Sequence, residues 1–150
     1  MRELMLMCSI AGRRAAIPAS AIRSVIEIED ITPIPGTPPH IAGLTALRSQ
    51  ALTVIDCRVA LGFEAIDEVV GARATVVEHD GHPYALLVDD AYDVDEALSE
   101  PSDVPGGFGA GWRHAAKGLV ETAGGPALTI AIDRIIETEH AKPEPAGMAA

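Results

Sequence analysis

Aromatic residues are scarce in this chain. One Trp, two Tyr and two Phe make up 3% of 150 residues, so Val, Ile, Leu and Ala must pack whatever core it forms. Apolar residues reach 48%, the ordinary share for a globular chain, which shows foldability and little else. Cations are also in short supply. Eleven Lys and Arg face 22 Asp and Glu, for a formal net charge of −11. A surface this acidic repels phosphate backbones and anionic headgroups, which argues against nucleic acid and anionic membranes as partners. No apolar run approaches the ~20 residues that span a bilayer. The opening Met1-Arg2-Glu3-Leu4 brings an acid at once and then alternates like a strand, unlike a signal peptide. The two cysteines, Cys8 and Cys57, each stand in an apolar or strand-like run. Buried free thiols are favoured over a disulfide. These features point to a soluble protein of the cytoplasm.

The signatures of chemistry are missing as well. The glycines of Gly106-Gly107-Phe108-Gly109-Ala110-Gly111 resemble a phosphate loop only in composition, with no GxxxxGK[ST] pattern. Ser20 and Ser24 have no His/Asp arrangement to activate them. His79 and His82 flank a turn with no third ligand near in sequence, and His40, His114 and His140 show no metal spacing. Asp56 and Asp133 could be read as paired acid/base carboxylates. Each stands at a strand-to-helix junction, however, where an N-cap is the simpler role. Asp89, Asp90, Asp93, Asp95 and Glu96 interleave with Ala91 and Val94, the pattern of a solvated strand face rather than a calcium loop.

What the chain does contain is a series of short apolar runs between turn signals. A length of 150 residues suits one domain, or two small lobes sharing a core. Leu4 to Ile10 and Ala15 to Pro18 read as a hairpin turned by Ala11-Gly12-Arg13-Arg14. Ala19 to Ile26 begins as a helical turn, since Pro18 and Ser20 suit a helix start, and passes into the alternating Val25-Ile26-Glu27-Ile28-Glu29. Ile31 to Pro39 holds four prolines and a glycine, so it is an ordered connector. Ile41 to Leu47 and Ala51 to Ile55 are strands joined around Ser49-Gln50. Asp56 then caps a short helix, Cys57 to Leu61, ended by Gly62. Ala74 to Glu78 and Tyr84 to Val88 flank His79-Asp80-Gly81-His82, a strong hairpin signal.

Ala91 to Val94 is a further strand, and Ser99 to Gly111 a loop. Leu119 to Thr122 and Ala127 to Ile132 form a last hairpin, with Asp133 capping a helix over Arg134 to Glu139. Residues 141–150 read as a disordered tail. Roughly nine or ten short strands with two or three helical turns suggest barrels or a sandwich. One echo stands out. Val54-Ile55-Asp56-Cys57-Arg58 and Ile130-Ala131-Ile132-Asp133-Arg134 both run from apolar strand through aspartate and arginine into an apolar helix, as if two lobes closed alike.

The order and spacing of these segments resemble the CheW family over about residues 4 to 138. The resemblance is carried by Met5 to Gly12 with Ala16-Ile17-Pro18, by Ile22 to Ile26, and by Pro35-Gly36-Thr37-Pro38 with Ile41-Ala42-Gly43-Leu44. It continues through Leu47-Arg48, Leu52 to Arg58, Leu86 to Val94 and Leu128 to Ile136. It implies a mostly β fold of two small five-stranded, SH3-like barrels with an apolar groove between them. The chain would then be a single CheW-like domain over 1–140, with its lobes joining near residues 65–72.

The resemblance also implies an adaptor that is not an enzyme and needs no cofactor. Such an adaptor binds a chemoreceptor's cytoplasmic tip and a CheA-type histidine kinase. The implied protein-binding residues are Ile22, Ser24, Gly43, Leu47 and Arg48. Arg48 has two readings: a fork of donors aimed at a partner, or an internal ion pair with Asp56, Glu27 or Glu29. The family usually carries asparagine two residues before this arginine and glycine after it; here those positions are Ala46 and Ser49. Ser24 stands where some members have an acid. These departures keep open a variant that binds only one partner, and a small-barrel enzyme or ligand-binding protein is the remaining alternative.

Overall fold

The computed structural model describes residues 2–138; the expected tail lies outside them, as does Glu139, the expected end of the last helix, which instead runs Ile132–Ile136. Ten strands are present: β1 Leu4–Ile10, β2 Arg13–Pro18, β3 Ile22–Glu27, β4 Ile41–Leu47, β5 Gln50–Asp56, β6 Arg73–His79, β7 His82–Val88, β8 Asp90–Glu96, β9 Ala116–Thr122 and β10 Gly125–Ile130. Three short α-helices join them: α1 Cys57–Ala60, α2 Ala110–Ala115 and α3 Ile132–Ile136. The strands form two five-stranded sheets, ordered β8-β1-β2-β10-β9 and β3-β6-β7-β5-β4. This is the mostly β, two-lobed fold that the sequence resemblance implies.

The two lobes are wired alike. Advancing every strand of the second sheet by five, and counting past ten back to one, turns its order into that of the first. Each sheet holds one parallel pair at the matching place, β5 with β7 and β10 with β2. The sheets curl without complete closure, and each rim is drawn together by an isolated antiparallel bridge, Thr32 to Leu44 in one and Ser102 to Leu119 in the other. A glycine precedes the bridging leucine in both. A Cβ on Gly43 would stand 2.4 Å from the Thr32 carbonyl oxygen, and one on Gly118 would stand 2.4 Å from that of Ser102. The short echo in sequence thus reflects one barrel plan used twice.

The chain enters the second lobe through a 3-10 turn at Ala19–Ala21 and returns at Asp89, between β7 and β8. The lobes therefore do not meet at residues 65–72, which join α1 to β6 inside the second lobe. The first lobe is discontinuous, because β1 and β2 share a sheet with β8, β9 and β10.

The largest core lies between the lobes. It unites Cys8, Ile10, Ile17, Leu128 and Ile130 of the first sheet with Ile55, Val77, Leu86 and Val88 of the second, under Leu61, Trp112 and Ile135 from the helical segments. Smaller cores fill each barrel: Leu52, Val54, Val76 and Leu87 in one, Met5, Met7, Ala16 and Ala127 in the other. Central strands such as β1 and β7 are thus buried on both faces. Their sequences accordingly run apolar without alternation.

Several local expectations need correction. The β1–β2 turn is only Ala11-Gly12, and Arg13 and Arg14 already belong to β2. Residues 99–111 are not all loop, because α2 starts at Ala110 and β9 begins at Ala116 rather than Leu119. Gly111 explains how a helix hides in that glycine-rich stretch. A Cβ there would lie 1.9 Å from the Leu61 carbonyl oxygen, so only glycine lets α2 sit on the end of α1. Asp133 is not an N-cap. The cap position of α3 is Ala131, with no side-chain cap bond, and Asp133 is an exposed residue of the first turn. Ala131 donates to the Ala115 carbonyl 2.8 Å away, which sets the start of the helix from across the lobe.

Candidate functional site

The second sheet positions the expected binding residues. β3 and β4 are its two outer strands, and the curl of the barrel brings their rims towards each other. Beside this seam, Ile26, Glu27 and Glu29 face Thr45, Ala46, Leu47 and Arg48 across a cleft of about 360 Å³. Ile22 and Ser24 stand nearer the start of β3 and do not line it. A register shift against β6 falls between them. Ser24 is exposed, while Ile22 is half-buried and packs on the core between the lobes. Gly43 is buried at the seam with φ 147°, and Leu47 is half-buried against the second barrel's core.

Arg48 is exposed at the tip of the β4–β5 hairpin. The two-residue loop Arg48-Ser49 has φ of 52° and 69°, the left-handed pair that such hairpins require and that glycine or asparagine normally supplies. The hairpins at Ala11-Gly12 (52° and 77°) and Asp80-Gly81 (51° and 80°) are built alike, with glycine second. Arg48 forms no hydrogen bond or ion pair with any described residue, so the internal pairing with Asp56, Glu27 or Glu29 is not present. Glu27 and Glu29 share its cleft without reaching it.

Asp56 is occupied elsewhere. Its Oδ1 accepts the backbone N–H of Arg58 at 2.9 Å and of Val59 at 3.4 Å, and its Oδ2 that of Ile66 at 3.0 Å. It is the N-cap expected, and it also anchors the loop beyond α1. The thiols are chemically quiet. Burial, reinforced by the Asp89 charge, pushes Cys8 up to about 12, and burial likewise raises Cys57 well above its ordinary value. Both are free and buried. A thiol held neutral is no nucleophile.

His79 is the residue that sequence reasoning placed least well. It was expected to be an exposed turn residue, yet its side chain is only 18% exposed. Its Nε2 lies 2.5 Å from Oε2 of Glu137 and 3.6 Å from Asp80. This links the β6–β7 hairpin of one lobe to the end of α3 in the other. His40 makes a second link between lobes, with Nε2 2.8 Å from the Ile136 carbonyl oxygen. Neither partner is near in sequence, so no local signal could have found them. On the acidic strand β8, Tyr92 and Val94 are 53% and 55% exposed. It is an outer strand and largely solvated, but not by the expected alternation: Val94 is exposed while Asp95 is half-buried.

Comparison with known proteins places this architecture. The family model described as the CheW-like domain matches residues 4–140. The chain is 27% identical over 92 residues to a chemotaxis protein CheW of Bacillus subtilis (strain 168), covering 61% of this chain and 59% of that protein. It is 23% identical over 135 residues to a chemotaxis protein CheW of Rhizobium meliloti (strain 1021), covering 87% and 85%. Among solved structures, the scaffolding protein TtCheW of Thermoanaerobacter tengcongensis superposes with a TM-score of 0.79 at 22% identity, over 93% of this chain and 96% of that one. Two permuted five-stranded sheets around a shared core, with the family match running through both, make this chain a member of the CheW-like domain family.

Proposed function

We propose that this chain is a non-catalytic coupling adaptor of chemotaxis signalling, binding a chemoreceptor's cytoplasmic tip and a CheA-type histidine kinase. The reading rests on family membership together with one observation. Arg48 is an exposed cation at a hairpin tip with no hydrogen-bonding or ionic partner among the described residues. In a chain of net charge −11, a guanidinium left unpaired is free to donate to a partner's carboxylate or carbonyls. Leu47 supplies apolar surface beside it, and Gly43 shapes the face by letting the seam close. Ile22 and Ser24 belong to the second, receptor-directed part of this reading.

Burial holds both cysteine thiols neutral, so neither serves as a nucleophile. No described helix is long and apolar enough to cross a membrane, and the acidic surface disfavours nucleic acid. Work in the cytoplasm, on protein partners, fits these features.

A second reading is favoured by Ala46 and Ser49, which replace residues usual in the family, and by Ser24, which stands where some members have an acid: a divergent member that binds one partner and competes with full adaptors. Pull-downs with a CheA-type kinase and a receptor cytoplasmic fragment, separately and together, separate the two. A ternary complex that alters kinase activity supports the adaptor, and capture of one partner alone supports the competitor. Arg48→Ala should weaken capture with the fold intact; an unfolded variant would make Arg48 structural.

A further inference from the structure

In sequence, His79 has no set of metal ligands around it. The fold assembles one. His79 ends β6, Asp80 follows it in the hairpin turn, and Glu137 arrives from the end of α3, 58 residues further on. His79 Nε2 and one carboxylate oxygen each from Asp80 and Glu137 lie within 4.8 Å of one another. Nε2 is 2.5 Å from Glu137 Oε2 and 3.6 Å from Asp80 Oδ2. The imidazole is half-buried and stands beside the Tyr84 ring, with centroids 6.2 Å apart. Both carboxylates are exposed, so an ion can reach the cluster from solvent.

This arrangement is poorly balanced without a cation. One imidazole N–H serves one acceptor well, and Glu137 takes it, leaving the Asp80 oxygen beyond hydrogen-bonding distance at 3.6 Å. Among the described residues neither carboxylate pairs with a lysine or arginine. Two like charges thus converge on a single nitrogen, in a chain already at −11. An imidazole nitrogen with two carboxylate oxygens is a donor set for zinc and its transition-metal neighbours. The harder magnesium and calcium ions prefer oxygen alone. Zinc takes such ligands at about 2.0–2.2 Å, which sets them about 3.3 Å apart in a tetrahedron. The Asp80 oxygen is already near that spacing from Nε2. The exposed Glu137 has to back away by about 0.8 Å as the metal replaces the proton on Nε2. Water fills the remaining position.

We propose that His79, Asp80 and Glu137 form a binding site for one zinc-type divalent ion, which clamps the β6–β7 hairpin of one lobe to the end of α3 in the other. None of the three is among the residues proposed to meet protein partners, so the site and the adaptor reading stand or fall separately.

Calorimetric titration of the intact protein with zinc chloride, paired with thermal melts, tests this. Saturable binding of one ion per chain is expected, undisturbed by an equal concentration of magnesium. At about a hundredfold excess of zinc over Kd, Tm should rise by about 5–10 °C. Glu137→Gln and Asp80→Asn should each weaken zinc binding at least tenfold. His82→Gln, across the hairpin from His79 but outside the ligand group, should leave it unchanged. Should Glu137→Gln fail to fold, Asp80→Asn decides, because asparagine tolerates the turn's left-handed backbone, where φ is 51°. Undiminished zinc binding by either folded variant overturns the proposal. So do magnesium displacing zinc at equal concentration, a titration that does not saturate, and a loss of binding confined to His82→Gln.

Discussion

Replacing Ser49 with glycine should stabilise this protein. Ser49 holds φ at 69° in a two-residue hairpin loop, beside Arg48 at 52°. Left-handed backbone costs a non-glycine residue about 1–2 kcal/mol, and glycine removes that strain. Glycine also loosens the unfolded chain, which returns about 0.4–1 kcal/mol of the gain. Ser49 is exposed and makes no hydrogen bond to another described residue, so no contact is lost. The net expectation is a stabilisation of about 0.5–1 kcal/mol, which at this chain length raises Tm by about 1–4 °C. Urea unfolding and a thermal melt, with unchanged m-value, would read it. The mirror experiment is Gly81→Ser, at the second loop position of the Asp80-Gly81 hairpin, where φ is 80°; it should cost a similar amount. A neutral or destabilising Ser49→Gly, with Gly81→Ser also neutral, would refute the account of strain in these turns.

Other expectations follow from the same geometry. Gly43→Ala and Gly118→Ala each set a Cβ 2.4 Å from a backbone carbonyl oxygen, so each should destabilise by more than ~2 kcal/mol in chemical unfolding, although the two lie in different lobes. Asp56→Ala orphans three backbone N–H groups and should cost at least the ~1–2 kcal/mol of a lost cap, read as a lower urea midpoint. Stability should also fall in alkali. The folded state holds Cys8 near 12 and Cys57 well above 9.0, whereas unfolded thiols ionise from about 8.5 upward. The contribution is therefore complete below that point and drains as pH rises, by about 1.4 kcal/mol per pH unit and thiol, ending for Cys8 near 12. Cys8→Ala should flatten the alkaline limb of the stability curve, whatever it costs at neutral pH.

Much of the fold was legible because local rules and tertiary structure agreed. Residues Leu4 to Ile10 and Tyr84 to Val88 lie within strands that pack on both faces, so their apolar runs had one sensible reading. Asp80-Gly81 marked its hairpin, and Asp56 marked the start of α1. The candidate residues were named by resemblance alone. The structure groups Leu47 and Arg48 in one cleft and shows Gly43 holding the neighbouring seam. The helix α2 was illegible because its Gly106-to-Gly111 approach reads as loop, while the reason for glycine at 111 is the backbone of Leu61, fifty residues away. Asp56 and Asp133 look equivalent in sequence, but only Asp56 caps, because α3 starts two residues before Arg134 and its first turn already contains Asp133.

By itself the sequence determined the short apolar strands, their turns, the acidic surface and the absence of catalytic motifs, because periodicity, turn chemistry and charge act over a few residues. Tertiary structure alone decided which strands share a sheet, since β1 and β2 close a lobe with β8, β9 and β10 across a chain that has left and returned. It also decided that His79 meets Glu137 and that the Arg48 side chain meets no hydrogen-bonding or ionic partner among the described residues. Such pairings depend on the burial of a core between two lobes, a free energy that no local stretch of sequence contains.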